Sequence, residues 1–224
     1  MSPRQTVRTT FVEDTSRLEA FSDGVFAIAI TLLILEIRVP HAADTGTAAE
    51  LWAGLRALWP SYLAFLLSFF VILVMWVNHH ELVRLLKGVD YPLLFANGFL
   101  LLMVTFVPFP TAVLAQHLNT DSATAAAAFY CGCFIPISVS WGLMFWTMVR
   151  RNLFRPEIDD ATIGRIANAY KVGPAVYLLS TGVAFFSATA GLVLNTSLWL
   201  LWIRLCYHPL SVAAAELDEA GART

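Results

Sequence analysis

One stretch decides the fold of this chain: GVFAIAITLLIL, residues 24–35, which is apolar except for Thr31. Asp23 precedes the stretch and Glu36 follows it. Its residues cover about 18 Å as a helix, less than the roughly 30 Å hydrocarbon core of a bilayer. A helix that crosses a membrane here must draw both carboxylates towards the bilayer. Because a charged side chain in hydrocarbon costs on the order of 3 kcal/mol, we expect this helix to lie inside an assembly and not against lipid.

The composition of the whole chain is typical of an integral membrane protein. Of its 224 residues, 58% are apolar and 13% are charged, which is about half the charged fraction of a soluble domain. Such a chain cannot cover a water-facing surface with charge, so a soluble enzyme is excluded. The net charge of -2 provides no basic field for nucleic acid. The three cysteines lie in or beside apolar runs and indicate packing, not a metal or cofactor site.

Six apolar stretches are long enough, or nearly so, to cross a bilayer as helices, which takes about 20 residues. They lie near 18–39, 60–78, 92–115, 123–149, 170–190 and 192–207. Pro60 and Pro92 stand at helix starts, where the missing N–H of proline is not needed. We therefore predict an all-α polytopic membrane protein in which residues 1–224 form a single six-span subunit.

The distribution of basic residues predicts the orientation of these spans. Of the 14 Lys and Arg residues, only Arg38 and Arg56 fall on one side. The others fall on the opposite side: Arg4, Arg8, Arg17, Arg84, Lys87, Arg150, Arg151, Arg155, Arg165, Lys171, Arg204 and Arg223. By the positive-inside rule, both termini are predicted to be cytoplasmic, with short and nearly uncharged outer loops.

The first helix has two different faces. At about 100° per residue, Ile28, Leu32 and Leu35 fall within about 60° of one another. Asp23, with Ser22 beside it, points roughly 140° away from Ile28. The aliphatic stripe alone is also typical of ordinary helix packing, and Asp23 alone is also typical of a helix N-cap. From these residues alone we expect a buried helix, with no activity assigned to it.

Polar residues near the end of the second span lie at the same predicted depth as the start of the first. Buried polar groups require hydrogen-bond partners, so we predict a network that locks the first helix against the second. Its members are Arg17, Ser22, Asp23, Trp76, Asn78, His79 and His80. Asn78 and His80 are included only because of their proximity.

The motif Arg17-x-x-x-Phe21-Ser22-Asp23-Gly24, followed by the apolar run, closely resembles the signature first helix of the transmembrane protein 175 family. Six spans, a cytoplasmic N-terminus and Trp76-x-x-His79 resemble that family as well. Its members are potassium-permeable channels, lysosomal in animals and plasma-membrane in bacteria and archaea. The resemblance therefore implies a prokaryotic channel in the plasma membrane. The chain lacks a Thr-Val-Gly-Tyr-Gly loop, so selectivity through the backbone carbonyls of such a filter is excluded.

The resemblance also implies which residues act in conduction. The first helices of the assembled subunits would line the pore, with Ile28 as the main constriction and Leu32 and Leu35 as further rings. Thr31 could offer a hydroxyl to a partly dehydrated ion. The residues that match the family's helix-positioning motif and its partners on the second span are Arg17, Phe21, Ser22, Asp23, Trp76 and His79.

The animal members carry two six-span units per chain, so the resemblance implies a homotetramer for this single unit. A ring of aliphatic side chains can dewet and close, or widen to pass a cation that has lost part of its water. Because K⁺ is dehydrated more cheaply than Na⁺, we expect a modest preference for K⁺, with other monovalent cations and protons as further permeant ions. Glu36, in four copies, would either concentrate cations at the outer mouth or only extend to interfacial water.

Other classes of protein stay open at this stage. A proton-conducting pore or a cation transporter could use Asp23 and the inner-side histidines. A haem protein would use pairs among His79, His80 and His208 on the inner side, or His41 and His117 on the outer side. Haem-binding bundles need facing histidines within their helices, whereas these five lie at span ends. A non-conducting structural role is the remaining alternative.

Overall fold

The computed structural model describes residues 14–41 and 45–203, without the side chains of residues 200–202. Some predictions concern residues outside this part of the chain. They are the last residues of the stretch 192–207, the inner-side His208, and the basic residues Arg4, Arg8, Arg204 and Arg223.

The described residues form an all-helical bundle, which confirms the all-α part of the predicted fold class. The first helix, α1, runs from Thr15 to Leu32 and continues as a 3-10 turn over Leu33–Glu36. The other helices are α2 Ala48–Ala57, α3 Trp59–Arg84, α4 Tyr91–Thr105, α5 Pro108–His117, α6 Ala123–Gly132, α7 Phe134–Arg150, α8 Asp160–Phe186 and α9 Ala188–Trp202.

Four helical segments of the described residues are long and apolar enough to cross a membrane. They are Thr15–Glu36, Trp59–Arg84, Tyr91–His117 and Ala123–Arg150, and they coincide with the first four predicted stretches. Helices α8 and α9 occupy the fifth stretch and the described part of the sixth. Helix α8 is less apolar because it includes Lys171 and a polar first half, and 15 residues of α9 are described.

Prolines mark several helix boundaries. Pro60 and Pro92 lie in the first turns of α3 and α4, as predicted. Pro108 begins α5 just after α4 ends, so the third predicted stretch is interrupted. Pro174 lies inside the continuous helix α8. The positions at helix starts follow from the missing N–H of proline, which the first helical turn does not need.

Helix α1 lies at the margin of the bundle. It packs on α3 and α4, and its 3-10 extension packs on α3 and α5. Helices α6, α7, α8 and α9 form a second group, in which α8 contacts the other three and α7 connects to the first group through α4. One face of α1 is therefore covered by its own chain, and the opposite face is left open.

Backbone hydrogen bonds join the turn after α3 to the turn after α7. The Lys87 amide donates to the Leu153 carbonyl at 2.9 Å, and the Arg155 amide donates to the Leu85 carbonyl at 2.9 Å. Asp90, which is 2% exposed, accepts from the Leu93 amide as the N-cap of α4. Its other carboxylate oxygen lies 2.6 Å from Arg151 Nε. One buried carboxylate thus begins α4 and joins the two turns.

We expect Asp90→Ala to lower the free energy of unfolding by about 1–2 kcal/mol, because it removes both the helix cap and a buried carboxylate that binds the part-buried Arg151. Asp90→Asn keeps a cap of similar strength, so its loss should be smaller. The measurement is the thermal unfolding of the purified protein in detergent. Equal unfolding midpoints for Asp90→Ala and the unmodified protein would contradict this assignment.

Candidate functional site

The face of α1 that packs on the bundle is buried by its own chain. Leu18, Ser22, Phe26, Ala29 and Leu33 are all 0–2% exposed. Their spacing of three or four residues puts them on one side of the helix, and the Phe26 ring lies 5.4 Å from the His79 imidazole, centroid to centroid. This face anchors α1 to the bundle.

The opposite face of α1 carries an apolar stripe that is exposed in the single chain. Ile28 is 58% exposed, Leu32 is 42% exposed and Leu35 is 70% exposed. Thr31, also exposed, donates its hydroxyl proton to the Ile28 carbonyl at 2.9 Å. The lone pairs of the Thr31 oxygen therefore remain available to a cation. The stripe predicted from helical periodicity is thus the open side of the helix.

Asp23 is held by the neighbouring helix. The indole Nε1 of Trp76 on α3 donates to Asp23 Oδ1 at 2.8 Å. The N-cap of α1 is Asp14, nine residues earlier, which accepts from the Ser16 amide. Asp23 is therefore not a helix cap, which removes one of the two interpretations left open by the sequence.

A second connection joins three helices through fully buried groups. Asn97 of α4 donates from Nδ2 to Ser22 Oγ at 3.0 Å, and its Oδ1 lies 2.8 Å from His79 Nε2. Ser22 Oγ in turn donates to the Leu18 carbonyl at 2.8 Å. Asn97, which bridges α1 and α3, was missed by the sequence reasoning. An amide inside the apolar run of the third stretch was the available signal, since polar groups in such positions need partners.

A third connection joins His80 to Glu19, a residue that was not among the predicted members of the network. His80 Nδ1 on α3 lies 2.6 Å from Glu19 Oε1 on α1. Glu19, Asp23 and His80 each bring one possible metal-ligand atom within 4.8 Å of the others. Because Glu19 and His80 face each other and Trp76 holds Asp23, we assign this group to the packing of α1 on α3.

The remaining predicted residues are exposed, half-buried or on another side of α3. Phe21 is 65% exposed on α1, and Arg17 is exposed in the first turn. Asn78 is buried, but the structure does not bring it into the predicted network: its Oδ1 has no hydrogen-bond partner among the described residues, and it lines a cavity on another side of α3. Glu36 is half-buried at the end of the 3-10 turn.

The site is a helix with one face held to the bundle by polar side chains and one open apolar face. Glu19 and Asp23 are paired with side chains of α3, and the open stripe offers aliphatic side chains and one hydroxyl. Such a surface can repel water or contact a partly dehydrated cation.

Comparisons with known proteins agree with this architecture. Residues 17–108 match the family model described as "Endosomal/lysosomal potassium channel TMEM175". A protein of Chamaesiphon minutus named as a potassium channel is 46% identical over 175 residues, or 78% of this chain and 86% of the relative. One of Streptomyces collinus, also named as a potassium channel, is 43% identical over 179 residues, or 79% of this chain and 85% of the relative.

A solved structure is similar as well. The crystal structure of a lysosomal potassium-selective channel TMEM175 homolog from Chamaesiphon minutus superposes with a TM-score of 0.73 at 42% identity. The superposition covers 84% of this chain and 95% of that chain. These similar proteins are ion channels and not enzymes.

Proposed function

Because the chain belongs to the TMEM175 family, we propose that it is a potassium-permeable channel in the plasma membrane of a prokaryote. This membership agrees with the family resemblance inferred from residues 17–35. The chain is a multi-pass membrane protein. Conduction of K⁺ down its gradient is the function that the open face of α1 supports best.

The proposed pore lies on the fourfold axis of a homotetramer of six-span subunits whose N- and C-termini are cytoplasmic. Four copies of α1 would face the axis. The observation that carries this proposal is the uneven burial of α1: Phe26 and Ala29 are fully buried, whereas Ile28 is 58% exposed. A helix with carboxylates at both ends of its apolar run is costly against lipid, so a protein-lined axis is the favoured environment for its open face.

The proposed constriction is a ring of Ile28 side chains, with Leu32 and Leu35 as further rings towards the outside. Such rings close by dewetting and open by widening. Passage then requires the ion to lose part of its water, which K⁺ does more cheaply than Na⁺. The expected selectivity for K⁺ over Na⁺ is therefore modest, and Glu36 would concentrate cations at the outer mouth.

The direct test of this function is ion flux in liposomes that contain the purified protein. We expect K⁺ flux to exceed Na⁺ flux under matched gradients, with ohmic single-channel current. Saturating flux coupled to a proton gradient would instead support the transporter alternative. Proton flux, followed in parallel with an internal pH dye, tests the proton-conducting alternative.

Thr31→Ala is expected to reduce the preference for K⁺ over Na⁺ by roughly two- to fivefold. This is a modest effect, since a tenfold change corresponds to about 1.4 kcal/mol. The reason is the loss of the hydroxyl that can contact a partly dehydrated ion. Thr31→Ser keeps the hydroxyl and serves as the matched control. The measurement is the reversal potential with K⁺ on one side and Na⁺ on the other, and equal values for both variants would reject the role of Thr31.

A further inference from the structure

Two buried polar atoms, one on α3 and one on α9, lack hydrogen-bond partners within the part of the chain that the structure describes. Asn78 of α3 is 8% exposed and Trp199 of α9 is 9% exposed. Among the described residues, neither the Asn78 Oδ1 acceptor nor the Trp199 Nε1 donor has a partner. Buried polar groups in native proteins are nearly always paired, so each of these atoms indicates an additional partner.

Both atoms belong to residues that line the same cavity between α3, α7, α8 and α9. Its volume is about 40 Å³, and its other lining includes Met75, Trp141 and Tyr177. This is larger than the roughly 10–15 Å³ that one water molecule requires. The cavity therefore has room for water or for a small polar group of a larger molecule.

The hydrogen-bonding needs of the cavity specify that group. Asn78 Oδ1 requires a donor, and Trp199 Nε1 requires an acceptor. A hydroxyl is both a donor and an acceptor, so it has the chemistry to donate to the first atom and accept from the second. The side chains that line the cavity include no charged residue among those described, which disfavours a phosphate or ammonium group because an unpaired buried charge is strongly unfavourable.

The cavity adjoins a larger groove on the outside of the bundle. Val74 and Trp199 line both spaces. The groove runs between α3 and α9 with a volume of about 960 Å³, and its lining also includes Phe70 and Leu192. This volume is at the upper end of the range of small-molecule sites, about 300–1,000 Å³. The described lining is mostly apolar and again without charge, so a hydrocarbon chain matches it.

We infer that the crevice between α3 and α9 binds a neutral, hydroxyl-bearing amphiphile from the bilayer, with its hydroxyl between Asn78 and Trp199 and its hydrocarbon chain in the outer groove. Water molecules alone would fill the small cavity but not an apolar groove. The site lies on a side of α3 away from the contacts with α1, so it is distinct from the proposed pore.

The test uses the purified full-length protein in phosphatidylcholine nanodiscs and a long-chain primary alcohol that carries a diazirine near its hydroxyl. We expect saturable photolabelling of α3 and α9. Hexadecanol should compete at least about tenfold better than hexadecane, a difference of about 1.4 kcal/mol. Equal competition by the two would overturn hydroxyl recognition. Non-saturable labelling would indicate that only water occupies the cavity, and it would overturn the proposal.

Variants locate the site. Asn78→Leu has a similar volume and should reduce labelling at least about tenfold, and Trp199→Phe should also reduce it. Asn195→Leu is the matched control, because Asn195 is a buried asparagine of α9 whose side-chain atoms have no partner among the described residues and which does not line the cavity.

Thermal unfolding establishes that each variant is folded. Unchanged labelling of folded Asn78→Leu would overturn the proposal. Efficient disulfide cross-linking of two subunits through cysteines introduced at groove positions 67 and 193 would overturn it as well, since a second copy would then fill the groove.

Discussion

Ile28→Asn is expected to raise K⁺ flux by roughly tenfold and to bring the ratio of K⁺ to Na⁺ flux close to one. The substitution replaces an aliphatic ring at the proposed constriction with amides that hold water, so the dewetted barrier falls. A tenfold change corresponds to about 1.4 kcal/mol. Selectivity declines because a hydrated ion no longer has to shed its water to pass.

The control for this variant is Ile34→Asn. Ile34 is also exposed, at 52%, and lies on the same helical segment, but it falls outside the stripe of Ile28, Leu32 and Leu35. We expect Ile34→Asn to leave the flux ratio unchanged. If both variants raised flux equally, a general loosening of α1 would explain the result, and Ile28 would lose its special role.

Asn97→Leu is expected to lower the free energy of unfolding by about 3 kcal/mol, because it removes the partner of the buried His79 Nε2 and one of the two partners of the buried Ser22 hydroxyl. His79 is especially sensitive since its other nitrogen, Nδ1, already lacks a partner among the described residues. The loss should be seen as a lower thermal unfolding midpoint in detergent. Flux in liposomes should fall as well, since the connection between α1, α3 and α4 is broken.

Asn195→Leu again provides the matched control. Asn195 is as buried as Asn97, but both polar atoms of its side chain lack partners in the described part of the chain. Replacing it removes unpaired groups from an apolar site, so stability should stay the same or rise. If Asn97→Leu and Asn195→Leu were equally tolerated, the bridge between Ser22 and His79 would contribute nothing to the attachment of α1.

The features that depend on local pattern were predictable from the sequence. Helical periodicity placed Ile28, Leu32 and Leu35 on one stripe, and this stripe is exposed in the folded chain. Proline chemistry placed the starts of α3 and α4 correctly. The sequence also put Asp23 and Trp76 at the same depth within one polar network, but it did not assign them to each other; the structure pairs them.

The features that the sequence reasoning missed depend on rotation of one helix against another. Asn78 and His79 are adjacent in sequence, yet they point to different sides of α3, because successive residues of a helix are about 100° apart. His79 therefore meets Asn97, whereas Asn78 lines the cavity towards α9. Glu19 was overlooked because it lies one helical turn before Asp23, and its pairing with His80 requires knowing which way α1 faces α3.

The most direct test of the central claim, that K⁺ passes along the open face of α1, is cysteine accessibility during conduction. Ile28→Cys and Ala29→Cys are adjacent positions, the first exposed and the second fully buried. In conducting liposomes, a cationic thiol reagent should block K⁺ flux through Ile28→Cys and leave Ala29→Cys and the unmodified protein, with its natural cysteines, conducting. Full K⁺ flux through reagent-treated Ile28→Cys, with labelling of the introduced thiol verified by mass spectrometry, would contradict the account, since the ion would then pass elsewhere.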